Sequence, residues 1–140
     1  MKHSELVQRV GFIREGGKLI FKLDFSGLTL EDIKEVIAYG KPMISRMQKG
    51  TLLSLTDVSD TEFDDQAKEV FKELLEYNKP FVQAGAVVGV NGWRKLVYMV
   101  SLKMSGRNNL RLFDNSTDAK DWLLGYSADP VPAATSAAMR

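Results

Sequence analysis

Hydrophobic and polar positions along the chain switch between a period of two and a period near 3.6, and the switches mark out its elements. Leu6, Gln8, Val10 and Phe12 oppose Val7, Arg9 and Gly11, a pattern that predicts an extended first segment. Glu15, Gly16 and Gly17 turn the chain, and Leu19, Phe21, Leu23 and Phe25 then alternate with Lys22 and Asp24. The two segments are expected to pair as a hairpin. Ser26 and Gly27 end the second strand, and Thr29 followed by Asp32 resembles a helix cap with an acidic partner. Ile33, Val36, Ile37, Gly40, Ile44 and Met47 hold one helical face, with a kink expected near Tyr39 and Gly40 because Pro42 lacks a backbone donor.

The second half repeats the alternation. Leu52 to Val58 is apolar enough for an interior strand, and its end is polar: Thr56, Asp57, Ser59, Asp60 and Thr61. Phe63, Ala67, Val70, Phe71, Leu74 and Leu75 then form a helical stripe that Asn78, Lys79 and Pro80 stop. Ala86 to Val90 is predicted as the next strand, Asn91 and Gly92 as a turn, and Trp93 to Met104 as a largely buried helix. Leu110 to Phe113 makes a short last strand. Asp114 to Thr117 caps a final helix whose apolar face is Ala119, Trp122, Leu123 and Tyr126. The order ββαβαβαβα predicts an α/β fold: a mostly parallel sheet, an antiparallel edge hairpin and helices on both faces. Residues 1–126 are expected to form one domain and 127–140, small and broken by proline, a disordered tail.

Composition narrows the chemistry. A chain of 140 residues can bury roughly two-thirds of its unfolded surface, enough for one autonomous core. Nineteen Lys and Arg against eighteen Asp and Glu give a net charge of +1, so no global field favours nucleic acid or an anionic membrane. With no cysteine there are no disulfides, thiolate metal sites or cysteine nucleophiles, and a single histidine, His3, argues against zinc clusters and serine–histidine catalysis. No cofactor is expected. Met1 to Gln8 lacks the apolar stretch of a signal peptide, and the run Ala86 to Val90 is far shorter than a membrane span. A cytoplasmic protein is the expectation.

In an open α/β sheet, ligands collect beyond the carboxyl ends of the strands. Asp24 and Asp57 each close a strand there and could meet to hold a divalent ion, as in a metal-dependent aspartyl phosphoacceptor. The same residues, with Asp60, Asp64 and Asp65, better suit capping of exposed backbone donors at helix starts. Arg94 and Lys95 fall in the first turn of a predicted helix, where cations oppose the dipole at a cost of about 0.3–1 kcal/mol each. An anionic ligand beside Trp93 would compensate them, and so would the neighbouring aspartates. The apolar helix Ile33 to Met47 and the hairpin edge offer a third possibility, a twofold self-association surface.

The strand Leu53 to Val58 leading to Phe63 to Ala67, the segment Val88 to Trp93, and the ending Leu112 to Asp114 with Ala119 to Leu123 resemble the SpoIIAA-like group of STAS-related proteins, which shares its architecture with lipid-binding CRAL-TRIO domains. The likeness spans about residues 5–125. It implies a non-enzymatic regulatory or binding module that docks a protein partner or a small anionic or amphipathic ligand at the strand ends. Partner contacts would come from Asp57, Ser59, Asp60, Thr61, Asp64 and Asp65, and ligand contacts from Trp93, Arg94 and Lys95. STAS antagonists of anti-sigma factors are switched by phosphorylation of a serine at a helix start. Asp64, Asp65 and Gln66 stand at the matching place without a hydroxyl, which leaves Ser59 and Thr61 as nearby acceptors.

Overall fold

The pairing of β-strands dictates where the first element begins. In the computed structural model, which describes residues 1–62, 64–89 and 109–126, strand β1 (Val10–Glu15) runs antiparallel to β2 (Lys18–Asp24). Its first pair is Val10 with Leu23. Residues 6–9 are not extended, as the alternation suggested, but lie in helix α1 (His3–Arg9). The reason is a lack of partners. Beyond Asp24 the β2 chain turns away, so a longer β1 would leave backbone donors unpaired, whereas a helix satisfies them internally. Arg9 then donates from Nη1 to the carbonyls of Asp24 and Ser26, at 3.3 and 3.0 Å, and ties α1 to the end of β2.

Helix α2 (Leu30–Ser45) follows, with the Thr29 side chain accepting from the Asp32 amide as its cap. Pro42 is accommodated inside it, and Met47 lies past its end. Gly40 lets α2 approach the sheet closely: a β-carbon there would stand 3.1 Å from Leu23 Cδ2. Strand β3 (Leu52–Asp57), helix α3 (Asp65–Asn78) and strand β4 (Val82–Val88) come next. β4 starts four residues before the expected Ala86, immediately after the break at Asn78 to Pro80, and pairs with β3 from Leu52 and Val82 onward. The expected turn at Asn91 and helix from Trp93 to Met104 lie outside the described residues, as does the expected tail 127–140. Strand β5 (Leu110–Phe113) and helix α4 (Ser116–Gly125), capped by Asn115, are the last of the described elements.

The five strands lie in sequence order, β1-β2-β3-β4-β5, all parallel except the β1–β2 pair. Crossovers of one hand that always step in one direction put their helices on one face. Accordingly α2 and α3 share a face with Phe21, Leu23 and Phe25. The other face is covered by α4, which follows the last strand and is no crossover; Ala119 and Leu123 pack there on Ile20, Leu53, Ala84 and Ala86. Helices thus lie on both faces, though not by the winding alone. Ile33, Val36, Ile37 and Ile44 of α2 are spent in the core, so the apolar face expected to serve self-association is occupied. Among the described residues the large apolar side chains left exposed are Val7, Phe12 and Leu19. No helix among the described residues is long and apolar enough to cross a membrane.

Candidate functional site at the carboxyl ends of the strands

Parallel pairing brings the two strand-closing aspartates side by side, Asp24 opposite Asp57. Each uses one oxygen to turn its own chain. Asp24 Oδ1 accepts from the Ser26 amide at 2.9 Å and hydroxyl at 2.6 Å, with Arg9 Nη1 at 3.5 Å. Asp57 Oδ1 accepts from the Ser59 amide at 2.9 Å. These are turns of the Asx kind, in which a side chain imitates a backbone carbonyl. Both readings of these residues therefore touch the structure: they meet as neighbours, and they organise the chain. Among the described residues no group of three or more His, Asp or Glu is arranged to hold a metal ion.

Beyond the strands the loops stay knitted. The Phe25 amide donates to Asp57 O at 2.8 Å and the Gly27 amide to Ser59 O at 3.0 Å, continuing the parallel ladder past the sheet. The Val58 amide donates to Val88 O at 2.9 Å and the Gly89 amide to Phe113 O at 3.2 Å. Asp60 takes a left-handed conformation, φ 56°, which Asp tolerates better than most residues. Its turn sends Thr61 inward, where the hydroxyl donates 3.2 Å to Phe25 O.

Thr61 is 1% exposed, so it cannot present its side chain to a partner or readily to a kinase. That corrects its expected place on the docking surface: the residue serves the loop from inside. Ser59 is half-buried. Asp60, Asp64 and Asp65 are exposed, and Asp64 Oδ1 caps α3 by accepting from the Ala67 amide at 2.8 Å. Trp93, Arg94 and Lys95 lie outside the described residues, so the ligand-binding expectation attached to them stands apart from this geometry.

Two hollows flank the strand ends. The first, about 330 Å³, opens between the starts of α2 and α3, floored by Leu28, Ile33 and Ala67 and edged by Asp60, Glu62 and Asp64. Asp60, Glu62 and Asp65 form no ion pair among the described residues. Glu62 was not singled out by the sequence pattern, because its importance comes from facing Gly27 and Leu28 across a gap between two loops. The second hollow, about 270 Å³, lies on the α4 side and includes Lys22, Asp24, Asp57 and Lys120. Lys22 read as one polar position of an alternating strand, with nothing local to signal the charges that α4 and β1 bring to it.

The chain matches no protein-family model, no curated protein and no solved structure.

Proposed function

We propose that the chain is a non-enzymatic, STAS-like regulatory module of the cytoplasm that docks a protein partner over the groove between the starts of α2 and α3. The observation that carries the reading is the state of the groove's carboxylates. Asp60, Glu62 and Asp64 edge an apolar floor where two loops are tied together by backbone hydrogen bonds, and no cation among the described residues pairs with them. Such a surface is pre-organised, so a partner would pay little ordering cost on binding. The partner best suited to it is a segment bearing lysine or arginine beside an apolar side chain. Electrostatic complementarity would then speed and orient the encounter.

The same charges disfavour a small anion inside this groove. A ligand of anionic or amphipathic type belongs instead to Trp93, Arg94 and Lys95, the two cations holding the anion and the indole supplying apolar area. Loss of a ligand-dependent change in tryptophan fluorescence on Arg94→Ala, with fatty acids and nucleotides as probes, tests that side of the reading.

Peptide binding tests the docking side. Lysine- and arginine-rich peptides should shift the backbone amide signals of Gly27, Thr29 and Glu62, and the double variant Asp60→Lys/Glu62→Lys should weaken binding by about tenfold or more, some 1.4 kcal/mol. Equal binding of acidic and basic peptides, or indifference to the double variant, overturns it.

A further inference from the structure

The hollow on the α4 side carries charges of both signs around an apolar floor, and no part of the docking reading uses it. Ile13, Leu55 and Val88 form the floor. At one end Asp24 and Asp57 stand in register, and in each the bonds described above go to Oδ1; Oδ2 takes none among the described residues. At the other side Lys120 of α4 reaches Glu15 of β1 at 3.2 Å. Lys22 lies two residues before Asp24, on the same face of β2. It is half-buried and makes neither an ion pair nor a hydrogen bond among the described residues, although three carboxylates line the same hollow.

A lysine stem can cover apolar surface while its ammonium reaches water, and Leu55 opposite Lys22 gives the stem something to cover. That role would explain Lys22 alone. It leaves unexplained why an unpaired lysine and two carboxylates, each with an oxygen that takes no bond among the described residues, line one space with an apolar floor. Charge pairing sorts the candidate ligands. Glu15 is paired with Lys120 and Asp24 with Arg9, which leaves Asp57 and Lys22 without an ion pair among the described residues, so a simple anion satisfies Lys22 alone. A simple cation satisfies the aspartates and leaves Lys22 unpaired. A molecule with both charges satisfies each end.

We propose that this hollow binds a small zwitterion of amino-acid type, its ammonium held by the free oxygens of Asp24 and Asp57 and its carboxylate by Lys22, with the side chain lying over Leu55 and Val88. The size agrees. At about 270 Å³ the hollow stands near the lower end of the roughly 300–1,000 Å³ of small-molecule sites, in keeping with a small ligand. Ser116, at the start of α4, adds a hydroxyl to the wall.

The test is a titration of the isotope-labelled full chain with each of the standard amino acids to ~10 mM, following backbone amide signals of Lys22, Ser26, Ser59 and Ser116. Acetate and ethylammonium serve as the two halves of the ligand. At least one amino acid should give saturable shifts at those amides, with either half binding about tenfold more weakly or worse. Lys22→Met and Asp57→Asn should each reduce the affinity by about tenfold or more, with the rest of the spectrum preserved. No saturable shift with any amino acid overturns the proposal. So does equal binding of acetate or ethylammonium, or binding that survives Lys22→Met unchanged. Basic peptides shifting Gly27 and Glu62 would leave these results untouched, so the two sites are judged separately.

Discussion

Gly89, just past β4, lies so close to Ser59 that a β-carbon on it would overlap the serine hydroxyl and press on the serine backbone. Its φ of 91° belongs to a region that side-chain-bearing residues rarely adopt. Strain and overlap therefore act together. Gly89→Ala should destabilise the fold by roughly 2 kcal/mol or more, read as a lower urea midpoint with an unchanged slope. An unchanged midpoint would mean that the two loops are not in contact.

Thr61 supplies the complementary experiment. Its buried hydroxyl holds Phe25 O from inside, and Thr61→Val keeps the shape while leaving that carbonyl with one bond fewer. A loss of about 1 kcal/mol is expected. Thr61→Ser, which keeps the hydroxyl, should recover part of the hydrogen bond but lose the packed methyl.

Arg9 fastens α1 to the end of β2 through two carbonyls and the Asp24 carboxylate. α1 has no fully buried residue, and besides Arg9 it is held by Leu6 against the core and by the edge contact of His3 with Tyr39. Arg9→Met should speed hydrogen exchange across residues 3–9 while exchange in β3 and β4 stays slow. Uniform loss of protection would mean that α1 unfolds only with the whole domain.

Asn78, at the end of α3, has a buried side-chain oxygen that accepts no hydrogen bond among the described residues. It borders a space of about 20 Å³ together with the side chains of Ser54 and Thr56, room for one water. A crystal structure at high resolution should show that water bridging Asn78 to β3. Asn78→Asp, which brings a charge into the same space, should cost more stability than Asn78→Ser.

If Asp57 does not accept phosphate, incubation with Mg²⁺ and a small phosphodonor such as acetyl phosphate should leave the intact mass unchanged. A gain of one phosphate that disappears in Asp57→Asn would replace the docking reading with phosphotransfer.

Much of the architecture is legible along the chain because it is local. Thr29, Asp64 and Asn115 each accept from an amide three residues on, and capping of this kind depends on neighbours in sequence. The start of β1 was not legible, since residues 6–9 alternate like a strand and only the length of β2 shows that they have no partner. The start of β4 was hidden for a related reason: Val82 to Gly85 is mixed in character and becomes a strand by pairing with β3, β5 joining only from Gly85 onward. At the candidate site, the aspartates at strand ends could be found from position alone. The inward turn of Thr61, the exposure of Glu62 and the isolation of Lys22 depend on which loop meets which, information that no short window contains.

The strand order has a kinetic side. Because every strand hydrogen-bonds to the one before it in sequence, the sheet can grow like a spiral stair, each step resting on the last, with no early margin waiting for a distant segment to return. Loop closures stay short on this route, the entropic barrier is divided among them, and the β1–β2 hairpin is the natural first tread.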